Sequence, residues 1–141
     1  MRLFLDANVV FSAAHNPDGN SRALFQLTSA TRDTRLISSK FAIEEATRNL
    51  AFKYPERLED LKRLISDLEI CAEPTPRAIA AAVSAGLPAK DAPILGGAIG
   101  ARAHALVTGD RQHFGPLFGR TIEGVTVVTP AEAVIMLLSR G

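Results

Sequence analysis

The opening residues MRLFLDANVV, Met1–Val10, carry the reading on which the fold turns. Leu3-Phe4-Leu5 is a short, continuously apolar run, the pattern of a strand buried on both faces rather than one wetted on alternate positions. Asp6 closes the run. In open α/β sheets ligands bind outside the carboxyl ends of the strands, so an aspartate there is a candidate functional residue. The same aspartate argues against a signal peptide. No apolar run elsewhere approaches the roughly 18 residues needed to span a bilayer, so no membrane span is expected.

The pattern repeats outward from this stretch. Leu36-Ile37 runs into the Ser38-Ser39 pair, Glu69-Ile70-Cys71-Ala72 reads as a third strand, Ala105-Leu106-Val107 stops at Thr108-Gly109-Asp110, and Val125–Val128 is the last strand. Helical patterns fill the intervals. After the turn at Asn16-Pro17-Asp18-Gly19, Ser21 caps a helix from Arg22 to about Thr31. Ile43, Ala46 and Leu50 mark the next, and Leu58, Leu61, Leu64, Ile65 and Leu68 another beyond Pro55. Thr75-Pro76 opens a helix ending near Gly86, Lys90 or Asp91 begins one running to about His104, and Thr129-Pro130 starts the last. Short buried strands separated by helices predict a three-layer α/β/α fold around a parallel sheet of four to five strands. At 141 residues, a single domain over 1–141 is expected.

Composition narrows the chemistry. Hydrophobic residues make up 47% of the chain, enough to fill one core. Cys71 is the only cysteine, which excludes a disulfide scaffold and any multi-cysteine zinc site. The formal charge of +1 is far from that of a dedicated nucleic-acid binder. Twelve of the sixteen bases are arginines, however, the side chain whose planar fork suits phosphate. A cytoplasmic location is the simplest expectation.

Four acidic positions stand out. Asp6 could ligate a hard cation with Asn8 steadying it, or simply form an Asx turn. Glu44 and Glu45 both flank the Ile43–Ala46–Leu50 stripe, so helical phase leaves open which one turns inward; either could serve only the helix dipole. Asp91 could be an N-cap ahead of Pro93, and Asp110 could cap a short helical turn. Gly96-Gly97-Ala98-Ile99-Gly100 faintly resembles a dinucleotide fingerprint, but it does not join a strand to a helix start and reads instead as small residues for close helix packing. His113 has no nucleophile motif beside it. Taken together, four acids at strand ends and early helical turns would form a cluster that is unfavourable unless a cation neutralises it. Oxygen ligands favour Mg2+ or Mn2+, which activate water and stabilise phosphoryl displacement.

Leu3-Phe4-Leu5-Asp6-Ala7-Asn8, Ser39 to Leu50, Leu87 to Leu95 with its Lys90-Asp91-Ala92-Pro93, and Val107-Thr108-Gly109-Asp110 with Arg111-Gln112-His113-Phe114 occur in an order that resembles the PIN domain, the nuclease fold of VapC-type toxins. The resemblance covers nearly the whole chain. It implies a catalytic set of Asp6, Glu45, Asp91 and Asp110, with Asp6, Asp91 and Asp110 ligating metal. Glu45 would complete the site or orient the attacking water; it is chosen over Glu44 because it precedes Ala46-Thr47-Arg48-Asn49-Leu50. Asn8 and Thr108 match polar supporting positions. Ala7 replaces the usual threonine or serine, in a strand-end turn where it is expected to point away from the metal. Arg22, Arg111 and His113 are candidate phosphate contacts. The implied activity is that of a Mg2+- or Mn2+-dependent endoribonuclease on single-stranded or structured RNA, with an antitoxin protein as partner where the chain is a toxin.

A homodimer is also expected: one sheet is not expected to cover fully the helical surface around Leu58, Leu61, Leu64 and Leu68, and the resemblance implies it too, since PIN-like toxins commonly dimerise. The second reading is a catalytically inactive PIN-like scaffold binding RNA or a protein. A haloacid-dehalogenase-type phosphatase is disfavoured because Asn8 stands where a second aspartate is required and Arg111 follows Asp110. A receiver domain is disfavoured because no acid neighbours Asp6.

Overall fold

The central strand of the sheet is the one that opens the chain. The structure, a computed structural model, describes residues 1–140. In chain order the elements are β1 (Arg2–Leu5), α1 (Ala7–His15), α2 (Asn20–Ser29), β2 (Arg35–Ser38), α3 (Lys40–Lys53), α4 (Leu58–Ile65), β3 (Glu69–Ile70), α5 (Pro76–Ser84), α6 (Ala92–Gly100), β4 (Ala105–Val107), α7 (Arg111–Phe114), β5 (Thr121–Ile122), β6 (Val125–Val128) and α8 (Pro130–Arg140). The sheet runs β3-β2-β1-β4-β6-β5, and only the β5–β6 pair is antiparallel. Helices cover it, with α1 packed on α2, α3 and α4, and α5 packed on α6.

Burial follows the pattern read from the sequence. Leu3, Phe4 and Leu5 are fully buried, as are Ala105, Leu106 and Val107. Phe4 faces α6, where a side chain on Gly97 would come within 3.3 Å of its ring. The small residues of α6 thus let it lie directly on the sheet. Gly96 serves the other contact, since a Cβ there would meet Pro74 and Ile79 at 3.3–3.4 Å.

Five expectations need correction. Helix α2 begins at Asn20 with Gly19 as its N-cap, so Ser21 lies inside the helix and does not cap it. The sheet has six strands, not four to five. The extra strand, β5, is held by a two-residue turn in which Glu123 and Gly124 both have positive φ, the left-handed pair a tight hairpin requires. Glu123 is an unusual residue for that role, which hides the turn in the sequence. Residues 7–15 form a helix rather than a strand-end turn. The helix beginning near Asp91 ends at Gly100, because Arg102 takes up φ 55°. Finally, Leu61, Leu64 and Leu68 are buried in the core of this one chain, so they leave no uncovered face of the kind that motivated a dimer.

Candidate active site

Parallel pairing of β1 with β4 matches Leu5 to Val107, which brings the next residues, Asp6 and Thr108, together. The Asp6 peptide N–H donates to the Val107 carbonyl at 3.0 Å and fixes this end of the ladder. Asp6 then caps α1. Its Oδ1 accepts from the Ala7 N–H at 2.7 Å, while Oδ2 accepts from the Thr108 hydroxyl at 2.9 Å and from Asn8 Nδ2 at 3.0 Å. Asn8 Oδ1 in turn accepts from the Gly109 N–H at 2.7 Å. Asn8 and Thr108 therefore hold the Asp6 carboxylate and the loop after β4 in one network.

Asp6 is only 6% exposed. Burial pushes its pKa up to about 6; the hydrogen bonds from Thr108 and Ala7 oppose the rise, and the negative charge of Glu45 adds to it. A carboxyl so placed is costly to ionise without a cation.

Asp110 caps α7. Its Oδ1 accepts from the His113 N–H at 3.0 Å, and its Oδ2 lies 2.7 Å from His113 Nδ1. Burial opposes ionisation here too, but the His113 backbone and ring, with the ring's charge, outweigh it and hold the carboxyl below its ordinary pKa. Asp91 approaches from the start of α6. It occupies the N-cap position yet makes no capping hydrogen bond, and its Oδ2 is buried without a partner among the described residues. Potential ligand atoms of Asp91, Asp110 and His113 all lie within 4.8 Å of one another.

Glu45 and Asp110 line a cleft of about 450 Å³ together with Asn8, Ser12, Ser21, Gly109 and Pro130. Glu44 is exposed and does not line it. His113 joins the acids directly. Arg111 lines the adjoining hollow. Arg22 lines neither: its Nε donates to the Ala13 carbonyl at 2.6 Å, tying α2 to the end of α1, so nearness in sequence misplaced it. Ala7 is the first residue of α1 and is buried, offering its N–H to Asp6 rather than standing in a turn. Ser12 and Ser21 were missed. Ser12 lies one helical turn beyond Asn8, a spacing that points to the cleft once residues 7–15 are known to be helical.

A family model described as the PIN domain matches residues 2–112. No curated protein matches the sequence. Among solved structures, the chain is similar to VapBC2 from Rickettsia felis bound to a DNA fragment from their promoter, at 16% identity and a TM-score of 0.67, covering 92% of this chain and 98% of that one. It is also similar to PAE2754 from Pyrobaculum aerophilum, at 18% identity and a TM-score of 0.69, over 99% and 96% of the two chains. FitAcB from Neisseria gonorrhoeae gives 23% identity and a TM-score of 0.56, over 92% and 98%. At these identities the likeness is one of fold.

Proposed function

The chain belongs to the PIN-domain family of nucleases, and from that premise we propose that it is a metal-dependent endoribonuclease, hydrolysing RNA phosphodiester bonds at the site built from Asp6, Glu45, Asp91 and Asp110. The observation that carries this reading is the buried, unpartnered Oδ2 of Asp91, beside Asp110 and His113. An anionic oxygen with no donor in a half-buried site is a cost unless a cation supplies the missing partner. The donor set, carboxylate oxygens with an imidazole close by, fits Mg2+ or Mn2+.

Asp91 and Asp110 would hold the ion directly, and Asp6 directly or through water. When bound, it would activate water and neutralise charge developing on the phosphate. The chain's own residues do the rest. Thr108 and Asn8 fix the Asp6 carboxylate, and the His113 ring steadies Asp110. Glu45, on the cleft wall, is placed to orient a water. Arg111 supplies a guanidinium in the adjoining hollow for a flanking phosphate.

The VapBC likeness supports an antitoxin as partner, with the chain as the toxin of the pair. The family resemblance alone supports a homodimer. No described helix is long and apolar enough to cross a membrane.

The test is cleavage of end-labelled RNA and single-stranded DNA with Mg2+, with Mn2+ and in excess chelator. RNA cleavage that needs the metal is expected. Cleavage persisting in chelator overturns the metal mechanism, and a folded protein that binds metal but cuts nothing identifies an inactive scaffold. Light scattering at micromolar concentration reads the oligomeric state, and co-purification with the product of an adjacent short reading frame reads the antitoxin.

A further inference from the structure

The cleft at the acids does not end at Ser12. Ser12, Ser21 and Pro130 also line a second hollow of about 410 Å³, whose walls add His15, Asn16, Asn20 and Arg111. Shared walls make the two one groove, leading from Glu45 and Asp110 past Arg111 to the last residue of α1.

That residue is His15. Its ring stacks on Tyr54, with centroids 3.9 Å apart and planes inclined by 27°. Phe11, one turn back on α1, braces both rings at 5.9 and 6.2 Å. Tyr54 does not line the groove, whereas His15 does. The imidazole is therefore held against Tyr54 and Phe11 and also borders the groove. An aromatic ring held flat by its neighbours is a platform on which an unpaired base stacks at little entropic cost.

The groove's other residues favour a nucleotide over a peptide. The exposed large apolar side chains, Phe41, Phe52, Ile70, Val83, Ile135 and Leu138, all lie outside it. Arg111 provides a cation for phosphate, and Asn16 and Asn20 provide exposed amides that can hydrogen-bond base edges. A base inside a duplex is already stacked between its neighbours and has no free face for His15, so the groove selects single-stranded substrate.

We propose that this groove is a subsite for an unpaired ribonucleotide flanking the scissile phosphodiester, its base stacked on His15 and its phosphate held by Arg111. The subsite rests on the nuclease reading for what it flanks, but its binding can be measured without cleavage. Fluorescence anisotropy of the full chain in chelator, with an eight-nucleotide oligoadenylate and a blunt-ended two-strand RNA duplex as probes, makes the test.

His15→Ala is expected to weaken single-strand binding about tenfold or more, while duplex binding is unchanged and His15→Phe restores the affinity. In oligonucleotides carrying one abasic position each, one position should cost the wild type that same factor and cost His15→Ala nothing. The subsite is overturned if His15→Ala binds oligoadenylate like the wild type, if it loses single strand and duplex equally, or if only binding of an antitoxin protein is lost. Metal-dependent cleavage is assayed separately. Its absence beside a His15-dependent affinity removes the nuclease reading alone, and its presence beside a His15-independent affinity removes the subsite alone.

Discussion

The Thr108 hydroxyl donates to Asp6 Oδ2 at 2.9 Å across 102 residues of sequence, and the same oxygen of Thr108 accepts from the Asp110 N–H at 3.1 Å and from Asn8 Nδ2 at 3.3 Å. One buried hydroxyl thus ties three of the site's residues together. Thr108→Val keeps the shape but removes one of the two donors to Asp6 Oδ2, leaving only Asn8 Nδ2, and strands the Asp110 amide. A loss of about 1–3 kcal/mol is expected, read as a lower urea midpoint with unchanged slope. Thr108→Ser, which keeps the hydroxyl, should recover most of it. Equal losses for the two variants would show that the methyl group, not the hydrogen bonds, matters here.

The metal-free protein should lose stability as the pH rises through the titration of Asp6. Its pKa moves from 3.8 when free to about 6 when folded, so between those values the folded chain keeps a proton the unfolded chain has released. The Asp6 contribution is then fully present below about 4 and lost as the pH passes about 6, amounting to about 3 kcal/mol. Asp110, held below its ordinary value, acts in the opposite sense, contributing above that value and losing its effect in acid. Comparison with Asp6→Asn isolates the first effect. Denaturation in chelator at pH 4, 5, 6 and 7 should show wild type losing ground to the variant as pH rises. Mg2+ should reverse the loss, because a cation favours the ionised carboxylate. A difference that stays flat with pH rules out a raised Asp6 pKa.

The parallel core strands were legible because double-sided burial leaves no room for polar residues: Leu3–Leu5 and Ala105–Val107 announce themselves. The packing role of Gly96 and Gly97 was legible for a related reason, since a glycine inside a helix needs a close neighbour to justify it. The helix over 7–15 was not, because Val9 and Val10 are β-branched, with low helix propensity, and the segment between Asp6 and the Asn16-Pro17-Asp18-Gly19 turn carries no clear helical stripe. That Asp6 and Asp110 follow strand ends was legible too, because each comes directly after, or within three residues of, an apolar run. Where a long side chain such as Arg22 turns depends on tertiary contacts, here the Ala13 carbonyl.

Asp91→Asn should separate structure from chemistry. As an N-cap without a capping bond, Asp91 contributes little to α6, so the fold should survive and even gain some stability in chelator as repulsion among the acids falls. RNA cleavage should drop at least 10²-fold if the metal supplies several kcal/mol of transition-state stabilisation. Cleavage assays with Mg2+ and Mn2+ are to be paired with thermal melts with and without metal. An unfolded variant would make Asp91 a structural residue after all.

The adjacent glutamates offer the sharpest comparison, because they differ by one residue on one helix. Glu45 lines the cleft and its charge raises the Asp6 pKa, whereas Glu44 is exposed to solvent. Removing the charge at Glu45 relieves one of the repulsions that keep Asp6 protonated, so Glu45→Gln should lower the Asp6 pKa in chelator. It should also reduce RNA cleavage, because a carboxylate that orients water acts as a hydrogen-bond acceptor, and the amide replaces one of its oxygens with a donor. Glu44→Gln should change neither quantity. Carbonyl-labelled NMR titration of Asp6 gives the first readout and the cleavage rate gives the second. If Glu44→Gln lowers cleavage and Glu45→Gln does not, the inward face of α3 has been assigned one residue out of phase. If both variants titrate Asp6 like the wild type while Glu45→Gln still loses activity, Glu45 acts on the substrate or water and not through the charge it places beside Asp6.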